Sequence, residues 1–161
     1  MPRLRGNNCG NQFVGASGIA EEGKMDNEPY RGSFSPDDIS PWFWDIVARA
    51  DRNRERLEAE LHGMTREEII RFNDEFEEAA VQLVDEPFLS YMGDGVSEDG
   101  AQDIADYVVS QGKGVYAEIW ARPETIPTTV KPNEPHTFAG LASNVFWERF
   151  RELIPYQLDE F

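Results

Sequence analysis

"TREEIIRFNDEFEEAAVQLVDEP", residues 65–87, decides the fold. Thr65 and Glu68 stand in the T-x-x-E relation of a capping box, in which each side chain satisfies the other's backbone N–H at a helix start. Ile69, Phe72, Phe76, Ala80 and Leu83 follow at steps of three or four, which on a helix makes one apolar stripe and on a strand would scatter to both faces. The other face carries Glu67, Arg71, Asp74, Glu75 and Glu78, and Pro87 marks the end. The segment is a helix that must bury its stripe against other helices.

The same period recurs on both sides. In "SPWFWDIVARADRNRERLEAELHG" (40–63), Ser40 is a cap with Pro41 at the first helical position. Phe43, Ile46, Val47, Ala50, Leu57 and Leu61 fall on one side, interrupted at Arg54, and Gly63 ends the helix. Downstream, "FLSYMGDG" reads as a short turn of helix and a loop, and Ser97 caps a helix with Ala101, Ile104, Ala105 and Val108 inward and Gly112 at its close. "KGVYAEIWARP" predicts a fourth, short helix stopped before Pro123. Residues 123–136 hold four prolines and read as an extended connector, and helical period returns over 137–154. "YVV" is the single strand-like run, and its neighbours argue for helix. The expectation is an all-α protein, residues 25–161 forming one bundle of about five helices with no internal repeat.

A chain of 161 residues suits one domain, and its 40% hydrophobic and 12% aromatic residues suffice for a core despite 29% charge. Residues 1–24, rich in Gly and Asn, have no helical or strand period and read as a disordered tail. "EEGK" just before Met25 is what a purine-rich ribosome-binding stretch would give if translated, so Met25 is the expected native start and residues 1–24 a mis-assigned extension. Cys9, the only cysteine, falls in that tail, which leaves no disulfide, no cysteine-based zinc site and no CxxC pair; a cytoplasmic setting is expected. There is neither an apolar run long enough to span a membrane nor a signal-peptide core.

"FWDIVARA" (43–50), "MTREEIIRFNDEFEEA" (64–79) and "VSEDGAQDIADYVVSQGKGVYAEIWARPETIP" (96–127) occur in an order that resembles a bacterial family catalogued as domain of unknown function 4240. The resemblance covers about residues 42–127. It implies a helical fold and assigns no activity and no catalytic residue.

With 15 Lys and Arg against 31 Asp and Glu, the net charge of −16 repels a phosphate backbone and an anionic membrane, so neither nucleic acid nor membrane is an expected partner. Two readings of the acidity remain: a self-repelling, solvated surface, or complementarity to a basic protein.

"GDGVSEDG" (93–100) fails as a calcium loop: counted from Asp94, Val96 takes the third position, Asp99 the sixth, where glycine is needed, and no Glu occupies the twelfth. Its plain reading is Ser97 capping a helix, with Glu98 and Asp99 favoured by the dipole in the first turn. The sharper one is a recognition surface of Asp94, Glu98, Asp99 and Asp103. No metal or cofactor is expected, because helical di-metal sites use Glu-x-x-His, whereas Glu58 stands four before His62 and Glu134 two before His136. No G-x-S-x-G or phosphate-binding loop occurs, and "GKG" (112–114) follows a helix, so no catalytic residue is assigned. Trp42, Phe43 and Trp44 cannot all point one way on a helix, nor can Phe146 and Trp147, which makes Trp44 and Trp147 candidate exposed contacts. The expected function is an acidic protein-binding module, inhibitor-like, antitoxin-like or regulatory, that engages a basic protein surface through Asp74, Glu75, Glu78 and the Asp94–Asp103 region. The alternative is a carboxylate-dependent enzyme, with or without metal assistance.

Overall fold

A computed structural model describes residues 34–131 and 134–155. The tail at 1–24, Cys9 and the Met25 start lie outside the described residues. Within them the chain is helical and has no strand: α1 (Pro41–Ala50), α2 (Arg54–His62), α3 (Arg66–Val81), α4 (Phe88–Tyr91), α5 (Glu98–Ser110), α6 (Lys113–Ala121) and α7 (Leu141–Phe150). Short 3-10 turns lie at Pro36–Asp38, before α1, and at Pro123–Thr125, between α6 and α7.

The segment that announces the fold is also its centre, since α3 packs on α1, α5 and α7. Its capping box is formed: Glu68 N–H donates to Thr65 Oγ1 (3.1 Å) and Thr65 N–H to Glu68 Oε2 (2.9 Å). Ile69, Phe72, Phe76, Ala79 and Ala80 are buried along the stripe. Each large side chain so placed contributes about 1.5–3 kcal/mol by leaving water.

The expected single helix over 40–63 is two helices. Asp51 (φ 49°) and Arg52 (φ 60°) lie in the left-handed region, a conformation that costs L-residues about 1–2 kcal/mol each. Local bonds offset that cost. Asp51 N–H donates to Ala48 O (3.1 Å), Asn53 Oδ1 caps α2 by accepting from Arg56 N–H (3.1 Å), and Arg52 O lies 3.1 Å from His136 Nδ1. The break turns Leu57 and Leu61, both fully buried, toward α7, against which α2 packs. It adds one helix to the expected five, and the short helical turn expected at "FLSYMGDG" is the one-turn α4. The last helix runs over Leu141–Phe150 rather than 137–154, because Gly140 (φ 72°) and Arg151 (φ 55°) bracket it in left-handed conformations.

Aromatic rings fill the centre. Phe43 lies 5.0 Å from Phe72 between ring centroids, Trp44 5.3 Å from Tyr116, and Phe88 5.1 Å from Trp120. Tyr116, fully buried, donates its hydroxyl to Ala79 O (2.8 Å), which satisfies the one polar atom the ring brings inside. Ser110, also buried, donates to Asp106 O (2.6 Å) and accepts from Phe138 N–H (2.8 Å), pinning the connector to the end of α5. Among the described residues no helix is long and apolar enough to cross a membrane.

Candidate functional site

Where α3 meets α5, acidic side chains from the two helices converge. Asp99, Asp103 and Asp106, at spacings of four and three, share one face of α5, a helix with no Lys or Arg. From α3 comes Glu77, close enough to raise the pKa of both Asp106 and Asp74. Partial burial pushes the Asp106 carboxyl up to about 6; Asp103 and Glu77 add to the rise, and the hydrogen bond from Gln102 Nε2 (2.8 Å) opposes it. Asp74 is raised first by burial and then by Glu77. Among the described residues no cation lies within ion-pair distance of Asp74, Glu77, Asp103 or Asp106. The result is a strip of mutually repelling carboxylates, of which Asp74 and Asp106 are partly desolvated and Glu77 and Asp103 exposed.

Six of the acidic residues singled out from the sequence divide into three groups. Asp74 and Asp103 belong to the strip. Glu78 is exposed on α3 and takes a hydrogen bond from Gln82 Nε2 (3.1 Å). Asp94 lies in a loop turned by Gly93 (φ 104°) and Gly95 (φ 77°), while Glu98 and Asp99 occupy the first turn of α5 beneath Ser97, whose Oγ accepts from Gly100 N–H (3.0 Å). All three are exposed.

Two expected contacts are corrected. Trp44 is 4% exposed, and its ring lies against Phe43 and Tyr116; the half-exposed member of that trio is Trp42, covered by the Arg71 guanidinium 4.2 Å above it. Glu75 is a structural acceptor. Its two oxygens take Ser40 N–H (2.8 Å) and Ser40 Oγ–H (2.9 Å), and Arg71 Nε lies 3.2 Å away. Trp147 is 47% exposed as expected, but on α7, which packs chiefly on α2 and α3.

Glu77 and Asp106 escaped the sequence reading. Their signal was a four-three acidic spacing on α5, but only packing sets that face beside Glu77. The "GKG" reading also changes: Gly112 (φ 102°) is the N-cap residue of α6, so the tripeptide opens a helix as well as following one. Lys113 Nζ is paired with Asp37 at 2.9 Å. The groove beside it, about 510 Å³, is lined by acids and bases together, Asp45, Asp51, Arg52 and Lys113. Residues able to hold a metal lie elsewhere, where Glu58, His62 and Glu148 converge between α2 and α7.

No curated protein and no solved structure matches this chain. Residues 41–152, which run from the start of α1 to just beyond α7 and contain the whole acidic strip, match the family model described as "Protein of unknown function (DUF4240)", and the chain belongs to that family.

Proposed function

We propose that the protein is a binding module that takes a basic protein segment along the strip formed by Asp74, Glu77, Asp103 and Asp106. One observation carries this reading: two half-buried carboxylates, Asp74 and Asp106, stand beside the exposed Glu77 and Asp103 with no ion-paired cation among the described residues, and burial, with Asp103 and Glu77 adding to it, pushes the Asp106 carboxyl up to about 6. Such an arrangement works against folding at neutral pH, and an arriving Lys or Arg would relieve it. An inhibitor-like, antitoxin-like or regulatory role fits a module of this kind. The net charge of −16 argues against nucleic acid and anionic membranes as partners, and the single cysteine suits the cytoplasm.

An arginine-rich peptide titrated into the full chain tests the proposal. Affinity should fall about tenfold or more between about 0.05 and 0.3 M salt. It should also fall about tenfold in the quadruple variant Asp74→Asn, Glu77→Gln, Asp103→Asn, Asp106→Asn. Neutralising Asp45, Glu55, Glu67 and Glu124 instead alters the net charge equally and should have a small effect. Equal losses in the two quadruple variants would mean that only overall charge matters, and would overturn the site.

The enzyme reading rests on the same Asp106, whose raised pKa suits a general acid. It requires that Asp106→Asn alone abolish turnover of a substrate, whereas charge-driven binding spreads the loss over all four positions.

A further inference from the structure

Glu58 and His62 are one turn apart on α2, so both side chains leave the same face of the helix. Glu148 comes from the facing helix α7, with Oε2 3.3 Å from His62 Nε2. One ligand atom from each of the three lies within 4.8 Å of the others. We propose that these residues form a divalent transition-metal site, Zn²⁺ its natural occupant, that staples α2 to α7.

The geometry is close to what such an ion needs. With bonds of about 2.0–2.1 Å, a tetrahedral ion holds its ligand atoms about 3.3–3.4 Å apart. The His62–Glu148 separation already has that value, and the remaining pairs, all within 4.8 Å, close by small rotations of the half-buried Glu58 and the exposed Glu148. Two carboxylates balance the ion's double charge, while an imidazole nitrogen favours a borderline ion over the all-oxygen shells of Mg²⁺ or Ca²⁺. His62 is the last residue of α2, where the negative end of the helix dipole adds attraction for a cation. The neighbouring guanidiniums are committed to other partners: Arg66 to Glu152 (2.8 Å), and Arg149 to the carbonyls of Leu61 (3.4 Å) and Met64 (2.5 Å). Three protein ligands leave a fourth position to water or to a donor from a bound molecule. The spacing of Glu58 and His62 is one residue longer than the Glu-x-x-His pattern; the ligand that completes it, Glu148, is far along the chain on α7, and sequence spacing cannot show that.

Calorimetric titration of the full chain with zinc chloride tests the proposal, with His62→Ala and Glu148→Gln as variants. Wild type should bind one equivalent that each variant loses or binds about tenfold more weakly. Zinc should raise the melting temperature of wild type and raise that of either variant much less or not at all, because only the intact site links the two helices. Glu148→Gln keeps the side-chain shape, so the comparison survives if His62→Ala fails to fold. Unchanged stoichiometry and affinity in Glu148→Gln would overturn the site. So would displacement of the bound zinc by a tenfold excess of Mg²⁺.

Discussion

Glu75 on α3 and Asp106 on α5 are both half-buried carboxylates on adjacent helices, and they do opposite things. Glu75 is surrounded by donors: the N–H and hydroxyl of Ser40, 35 residues earlier in the chain, and the guanidinium of Arg71 one turn before it. It ties the start of α1 to the middle of α3, and Arg71 extends the tie to the ring of Trp42. Asp106 has one neutral donor, Gln102, and faces Asp103 and Glu77. Burial withdraws both groups from water, but Glu75 receives three donors in its place and Asp106 a single neutral one. A buried charge stabilises when its partners are in place and opposes folding when they are not.

The largest expected effect follows from removing the satisfied member. Glu75→Ala leaves the Ser40 N–H without its acceptor and frees Arg71, which should cost about 2 kcal/mol in denaturant unfolding. A double-mutant cycle with Ser40→Ala isolates the link and should give a coupling of about 1 kcal/mol. Strict additivity would mean that Glu75 acts through the Ser40 N–H and Arg71 and not through the Ser40 hydroxyl.

The unsatisfied member should respond with the opposite sign. Folding raises the Asp106 pKa from the ordinary carboxylate range to about 6. Between about pH 4 and 6 the folded protein therefore holds this proton more tightly than the unfolded chain does, and its contribution to stability declines as pH rises through that window. Above pH 6 the ionised group is a standing cost. Asp106→Asn keeps an oxygen for Gln102 and removes the charge, so it should stabilise the fold at pH 7 by about 1 kcal/mol, solvent screening having reduced the full value of the shift. At pH 4 wild type and variant should melt alike. A stabilisation that does not change between pH 4 and 7 would show that charge is not its cause.

How much of this was legible beforehand depends on the range of each interaction. The Thr65–Glu68 capping box, the Ser97 cap and the apolar stripe of α3 are local, joining residues within a turn or two, and the sequence displays them completely. The break at Asp51–Arg52 was not legible, because neither residue is a glycine and the left-handed pair is held by contacts that include His136, 84 residues away. Asn53 was the available signal, a good N-cap residue just before Arg54, where the apolar side was already interrupted. Glu75 looked like any acid on an outward face, since its partner Ser40 is brought to it only by the packing of α1 on α3. The acidic strip was half legible: Asp74 and Asp103 were singled out, but the register of α3 against α5 determines that Glu77 and Asp106 join them.

A third kind of carboxylate, exposed and without tertiary partners, sharpens the comparison. Ser97→Ala removes only a cap whose oxygen accepts from Gly100 N–H and should cost about 0.5–1 kcal/mol. That is less than Glu75→Ala, although Ser97 and Ser40 are caps of the same residue type. Thermal unfolding at neutral pH distinguishes them, and a larger loss at Ser97 would mean that the Gly93–Gly100 loop makes a contact beyond its own helix.

The smallest effect belongs to Glu98 and Asp99. Both are exposed in the first turn of α5, where the helix dipole favours each by about 0.3–1 kcal/mol at low salt. Reversing them to Lys forfeits that attraction and adds two positive charges to a helix end already slightly positive. The same change moves the whole protein four units toward neutrality from −16, and relief of the general repulsion acts in the opposite direction. Both terms are weak and screened by salt, so the double reversal should leave stability within about 0.5 kcal/mol of wild type and the melting temperature within a few degrees. Arginine-peptide affinity provides the second measurement. If the strip is the docking site, reversal at Glu98 and Asp99 should weaken the peptide about threefold at most, through long-range field alone, against tenfold for neutralising the strip. A loss from the loop that exceeds the loss from the strip, with the melting temperature unchanged, would move the recognition surface from the α3–α5 seam to the Asp94–Asp99 turn.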